Sequence, residues 1–461
     1  MALLRVCIVA VIFVGVGWPL TRCVGHVAIQ RCALALTATG LVAAVGATIA
    51  VGFQIAFVPS VVVAWVAIFA ISHFVFRRDP MPPSPTDMSF ASNLVVVCVV
   101  VSVGFVVLLP TIHAPIGWDA RSIWWMHANW LRLGGATYAR AMNTTFLRDP
   151  LHVDYPTLNS GLVALTWAIV RSGRDLWFAQ AASATATFGA VVLSWCAIAE
   201  RLQTSKRVAS LVAVVYIVAA FGIGDKFATS GYSDLLWAGF AVAAAMWLVP
   251  RNARVDLRPM LALSACSVSK NEGLIAAVII VVVVWRSKSW PDRVRLAAAF
   301  LPAIAWSAVA SAHGAKSDIL VGLQHAKLAN LLRRIGPSIE AIGAWTFPYL
   351  VVFVILVVLH RSGIAHRQVD DRPSDDDASV IAIRLGLVAA LVAASVWFVY
   401  VVSPHPLEWH LDTSVSRTTM VIRLLLLAAA IVIVLGQRRA QMTGEHEPRP
   451  VLPDQTHRNE R

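Results

Sequence analysis

The chain has 461 residues, of which 58% are apolar or aromatic and 14% charged, with a mean hydropathy of +0.72. A water-soluble domain carries about 25% charged residues, so an ordinary soluble globule is excluded, and uncharged runs of bilayer-spanning length recur instead. The net charge of +13 points to membrane topology and not to nucleic acid, because Lys and Arg gather on the cytoplasmic side of membrane proteins. No Arg/aromatic single-strand platform or groove-reading helix pattern accompanies them.

Taken in order, Leu3–Leu20 is apolar with Arg5 near its start. No small-x-small cleavage site follows it, so a retained first span is expected. Further spans are predicted at 33–56, 57–76, 92–112, 176–199, 208–223, 235–249, 296–312, 341–359, 380–402 and 419–436. Two segments depart from that pattern. Pro156–Val170 is short and carries Asn159 and Ser160, while Met260–Trp285 is interrupted by Lys270-Asn271-Glu272-Gly273. The six cysteines show no CxxC spacing, so neither a zinc site nor a disulfide framework is expected.

Basic connections at Arg77-Arg78, 200–207, 251–258, 286–295 and the tail from Arg438 belong in the cytoplasm by the positive-inside rule. All of them can share one side only under two conditions. The 156–170 segment must stay outside as an interfacial helix, and 260–285 must enter and return as two half-helices meeting at Lys270–Gly273. Irregular backbone at membrane depth is tolerated where it lines a cavity. Segments 113–155, 222–234, 313–340 and 404–418 then face outward. The stretches 79–87, with four prolines, and 369–378, an acidic run, read as solvated linkers.

The outward segments hold the polar chemistry. Asp119 sits among Trp118, Trp124, Trp125 and Trp130. It either caps a helix in an aromatic belt or stands at a lipid-facing cleft as proton acceptor for an attacking hydroxyl. On an extended chain His152 and Asp154 point to one side, as a hydrogen-bonded pair or as two ligands of a shared cation, which alone do not define a metal site. In 222–234, Asp225, Lys226, Tyr232 and Asp234 could wall a polar pocket, with Ser233 or Asp234 as a helix cap the plainer alternative. Lys270 and Glu272 lie within an apolar segment, where ionisable groups face a cavity or a partner. They either pair with each other or leave Lys270 to stabilise a phosphate, with Glu272 orienting it or binding a sugar hydroxyl. In 403–420, alongside Glu408 and His410, helical spacing places Arg417 one turn from Thr413 and Ser414, which suits a phosphate or sugar as well as a capped surface loop. His325, Lys327, Arg333 and Arg334 read as a basic amphipathic surface helix, or as lipid-phosphate contacts.

Gly117-Trp118-Asp119 opening an outer loop, Asp154-Tyr155-Pro156 near its end, Tyr232-Ser233-Asp234 before a later span and the Lys270–Gly273 break together resemble the GT-C superfamily of integral-membrane glycosyltransferases. The resemblance is to the protein-mannosyltransferase and aminoarabinose-transferase groups, and it covers roughly residues 92–436. It implies an all-α polytopic bundle of about 10–13 transmembrane helices with outer loops and interfacial helices. Residues 1–78 would then be N-terminal helices, 79–91 a Pro-rich cytoplasmic linker, 92–436 the catalytic domain and 437–461 a cytoplasmic polar tail. The implied reaction is inverting transfer of a hexose or pentose from a polyprenyl-phosphate donor to a lipid, glycan or protein acceptor at the outer face of a bacterial-type plasma membrane. Asp119, Asp154 and Asp234 would be the catalytic carboxylates. His152, Tyr232, Lys270, Glu272, Glu408, His410 and Arg417 would bind substrate. A divalent cation, Mg or Mn, is left open, because the family contains metal-dependent and metal-independent members. The rival classes are a multi-span transporter, which should carry ionisable groups on several spans near the midplane, and a ligase, polymerase or assembly subunit for envelope polysaccharide.

Overall fold

In the computed structural model, residues 2–22, 28–76, 90–109, 116–144, 146–147, 151–173, 175–202, 206–250, 254–316, 322–324, 328–365 and 378–444 are described, and they contain helices and no strand. The first four helices are α1 (Ala2–Gly17), α2 (Ala28–Gly52), α3 (Phe57–Phe76) and α4 (Phe90–Leu108). A loop region follows with α5 (Trp125–Leu133) and α6 (Gly135–Asn143), then α7 (Leu158–Val170), α8 (Leu176–Leu202), α9 (Lys206–Gly224) and α10 (Asp234–Leu248). The remainder comprises α11 (Leu257–Ser267), α12 (Asn271–Val284), α13 (Trp290–Ala298), α14 (Leu301–Ala312), α15 (Leu328–Ala365), α16 (Ala378–Val402), α17 (Leu407–Thr418) and α18 (Met420–Gly444). Among the described residues nine helical stretches are long and apolar enough to cross a membrane. The protein is an all-α, multi-pass membrane protein.

The bundle forms around α2, whose run from Ala33 to Ala50 is rich in Ala, Gly and Thr and largely buried. It packs against α1, α3, α7, α8, α11 and α14, so the N-terminal helices are part of the same bundle as the rest. Small residues let helix backbones approach, which is the main source of helix adhesion where lipid removes the hydrophobic driving force. A methyl group at Gly239 of α10 would come within 2.9 Å of the Ala190 backbone on α8, and one at Gly161 of α7 equally close to Ala43 of α2.

The two ends of the bundle differ in charge. At one, Arg258 pairs with Glu200 at 2.7 Å, Lys288 donates to the Pro250 carbonyl at 2.9 Å, Arg295 to Val255 at 2.8 Å and Arg384 to Val249 at 2.8 Å. This basic end gathers the described parts of the basic connections, at 200–202, 254–258 and 286–295, as the sequence predicts. Segment 257–284 leaves it and returns to it, because the chain just before α11 is hydrogen-bonded to the start of α13: the Val255 amide donates to Asp292 at 3.2 Å. With 11 and 14 residues, α11 and α12 rise about 16 and 21 Å, short of the ~30 Å hydrocarbon thickness. Their turn, Val268–Lys270, therefore lies inside the bundle beneath the opposite, cavity end.

Two expectations are corrected. The 156–170 segment is not an interfacial surface helix. Leu158 through Trp167 of α7 are all buried against α2, α5 and α8, because Asn159 and Ser183 satisfy each other's polar groups at 2.9 Å and need no water. The 313–340 loop and the 341–359 span are largely one element, since α15 runs for 38 residues through Pro337 and Pro348 with an outward-facing apolar surface. Arg334 on it binds the carbonyls of Val401, Ser403 and His405. It is thus a C-terminal cap for α16, where a cation offsets the helix dipole, and not part of a basic lipid-contacting face. The linker 79–89, the acidic run 369–377, His325, Lys327 and the tail beyond 444 lie outside the described residues.

The region around α5 and α6 is fixed by an aromatic cluster. His127 is fully buried between Trp130 and Tyr138, with Tyr138 packed on Trp306 of α14, and its Nε2 donates to the Leu151 carbonyl at 2.9 Å. Burial pulls the His127 pKa from its ordinary 6.5 down to about 3. The folded state then binds fewer protons than the unfolded state between those values, so stability is full above pH 6.5 and is lost as the pH falls through that window. By pH 5 the expected loss is about 2 kcal/mol. Thermal melting of detergent-solubilised protein at pH 7.5 and 5 should show this as a lowered midpoint, and His127→Gln should flatten the difference.

Candidate functional site

The cavity end contains a chain of alternating charges. Arg417 in the last turn of α17 pairs with Asp119, and its Nη1 lies 3.7 Å from Asp234 Oδ2. The other Asp234 oxygen accepts from Lys270 Nζ at 2.9 Å, and Lys270 lies 3.1 Å from Glu272 Oε1. Asp234, Lys270 and Arg417 are buried, whereas Asp119 and Glu272 keep part of their surface. Three carboxylates and two cations leave the chain one negative charge in excess.

Each member is delivered by an irregularity in its element. Asp119 precedes a π-helical turn, Ala120–Trp124, a feature that concentrates at functional sites. Its side chain makes no helix cap, which removes the capping alternative. Ser233 does not cap α10 either, since its hydroxyl accepts from Asn159 at 3.0 Å, and Asp234 at the first position of α10 turns to Lys270. Lys270 has extended backbone between α11 and α12, which aims its side chain across to α10. The hairpin closes tightly because Gly273 has no Cβ to strike the Cys266 carbonyl.

This chain forms the floor of a cavity of about 650 Å³. The polar wall comprises Asp119, His152, Tyr232, Lys270, Glu272, His410 and Arg417, together with Lys226, Asn271 and Thr413. Facing it, Ile275 of α12 and Val392, Val396 and Val399 of α16 give an apolar wall. The floor is at the level of Ser183, seven residues into α8, about 10 Å below the start of that helix.

The chain matches no protein-family model, no curated protein and no solved structure.

Several expected roles change with the geometry. His152 and Asp154 are not on one side of a strand, because His152 has φ of +45° inside a turn. Asp154 instead accepts from Asn271 at 2.7 Å and supports the Lys270 turn from behind. Glu408 is exposed and does not line the cavity. Arg417, Thr413 and Ser414 all line the cavity, as the helical spacing predicts, and the two hydroxyls donate to helix carbonyls at 2.7 and 2.6 Å, which leaves their oxygens as acceptors. Among the described residues no group of three or more His, Cys, Asp or Glu is placed to hold a metal ion. Residues not singled out from sequence include Asn271, Tyr155 and Tyr400. The first two lie inside motifs quoted above but were given no role there. Tyr400, bonded to Ser414 at 2.9 Å and Thr418 at 2.8 Å, has no local signal beyond being a tyrosine near a span end.

Tyr232 packs against the guanidinium, with Arg417 Cζ 4.8 Å from its ring centre, and the Gly117 amide donates to Ser230 at 3.2 Å. A Cβ at Gly117 would overlap the Tyr232 ring. Gly117→Ala is therefore expected to push Tyr232 off Arg417 and to destabilise the protein by about 1–3 kcal/mol, as overpacking does. Melting curves of the purified protein test this; an unchanged midpoint would mean that the ring yields freely.

Proposed function

We propose that the protein is a membrane glycosyltransferase that moves a sugar from a polyprenyl-phosphate donor to an acceptor hydroxyl on the outer face of the plasma membrane. One observation carries the proposal: a single cavity joins a carboxylate-guanidinium floor to an apolar wall from α12 and α16, the amphiphilic surface that a lipid-linked sugar requires. Asp119 accepts the proton of the attacking hydroxyl as its oxygen bonds to the anomeric carbon. The bond from that carbon to the phosphate oxygen breaks, and polyprenyl phosphate leaves with inversion. Arg417 and Lys270 offset the charge on the departing phosphate, where fixed cations in a partly dry cleft count most. A permeation path is disfavoured because α10, directly beneath Asp234, is buried along its whole length.

The direct test is transfer by purified protein from a panel of polyprenyl-phosphate sugars, with release of polyprenyl phosphate measured, together with identification of the lipid-linked sugar that accumulates in membranes when the protein is removed. No turnover with any donor and no accumulating lipid would overturn the proposal.

The basic residues at the opposite end support an outer location for the cavity. In a background without the six cysteines, Asp225→Cys should be labelled by an impermeant reagent from outside intact cells and Ser289→Cys should not, both positions being exposed. The reverse pattern would place the cavity in the cytoplasm.

A further inference from the structure

Two tryptophans at the cavity wall, Trp118 and Trp409, are 56% and 54% exposed, although they belong to elements that the Asp119–Arg417 pair ties together. Trp118 adjoins Asp119 in sequence. Trp409 is eight residues before Arg417 on α17, about 12 Å along the helix. That rise exceeds the length of a single sugar ring. Around Trp409 the cavity is lined by His405, His410, Asp412 and Thr413, which offer hydrogen-bonding groups. The cations of the floor are already matched by carboxylates.

We infer that this rim is the acceptor subsite and that the acceptor is a saccharide of at least two residues; the inference rests on the transferase proposal above. An indole face offers a flat apolar surface with an N–H handle, which complements the C–H face of a pyranose or furanose ring. The flanking imidazoles and carboxylate take up its hydroxyls. A peptide held by strand addition is disfavoured, because the described rim is helix and turn with no strand, and a peptide bound in another mode is an outcome of the test below. An anionic headgroup is disfavoured because Asp412 adds negative charge where such a group would sit. A saccharide stacked from Trp409 toward Trp118 would bring its terminal hydroxyl to Asp119.

The test uses detergent-purified full-length protein and ligand-observed saturation-transfer NMR, with maltose, cellobiose and mannobiose as probes and a Ser/Thr-containing peptide beside them. Wild type should give a signal with at least one disaccharide. Trp409→Ala and Trp118→Ala should each weaken it by roughly fivefold, as loss of one aromatic contact does, and Trp409→Phe should restore part of it. Trp345→Ala, at a comparably exposed tryptophan outside the cavity, should leave it unchanged. No disaccharide signal, a signal indifferent to both cavity variants, or a peptide signal that they abolish would overturn the inference. Donor turnover measured on the same samples separates the two proposals. Turnover with no tryptophan-dependent saccharide signal sinks the subsite alone, and absence of turnover with every polyprenyl-phosphate sugar sinks the transferase.

Discussion

Lys270→Met is expected to lower stability by about 3–5 kcal/mol, the usual consequence of removing one partner from a buried ion pair. Its ammonium group lies between Asp234 at 2.9 Å and Glu272 at 3.1 Å, and the two carboxylates differ in burial. The Asp234 side chain is only 2% exposed, so without Lys270 it would keep Arg417 alone, at 3.7 Å. Glu272 retains access to the cavity and can be hydrated. The double variant that should recover stability is therefore Lys270→Met with Asp234→Asn. Lys270→Met with Glu272→Gln should recover little, although sequence proximity makes Glu272 the obvious partner. Melting of the three variants in detergent decides the matter. Recovery by the Glu272 double and not by the Asp234 double would move the structural pair back to Glu272.

On the transferase proposal, Asp119→Asn is expected to reduce transfer by about 10²–10⁴-fold, the range for loss of a general base, with a smaller loss of stability than Lys270→Met because Asp119 keeps part of its surface. The amide keeps the shape and can still accept a hydrogen bond from Arg417, and Arg417 retains Asp234. A helix-capping Asp119 would tolerate asparagine, which caps equally well, but the side chain makes no cap bond. Asp154→Asn should have a much smaller effect, because that carboxylate is bonded to Asn271 and is not part of the cavity wall. Initial rates with donor and acceptor both in excess measure the difference. A fully active Asp119→Asn protein would transfer the role of base to Glu272, which lines the same cavity.

The ranking of these two effects rests on burial. Asp234 is 2% exposed and does not line the cavity, and Lys270 reaches the cavity with only 8% of its side chain exposed, so their mutual compensation holds the α10–α12 junction together. Asp119 and Glu272 sit at the two ends of the charge chain and remain open to the cavity, and a group that exchanges protons with substrate needs that access.

The sequence by itself determined the class of protein, the broad positions of most membrane helices and the gathering of basic residues at one end. These properties follow from local composition, because every backbone polar group in a bilayer is satisfied within its own helix and charge is costly to place there. The break at Lys270–Gly273 was legible for the same reason. Only the tertiary structure decided which charges meet. Lys270 pairs across 36 positions with Asp234, and Arg417 across 298 with Asp119, although Glu272 and Thr413 are the nearer candidates in sequence. Nor did periodicity reveal that α7 is buried, that α15 absorbs an expected loop or that Glu408 turns away from the cavity. Helical spacing specifies which residues share a face, but the partner of that face is set by how helices with small residues pack against one another, and that depends on segments hundreds of residues apart.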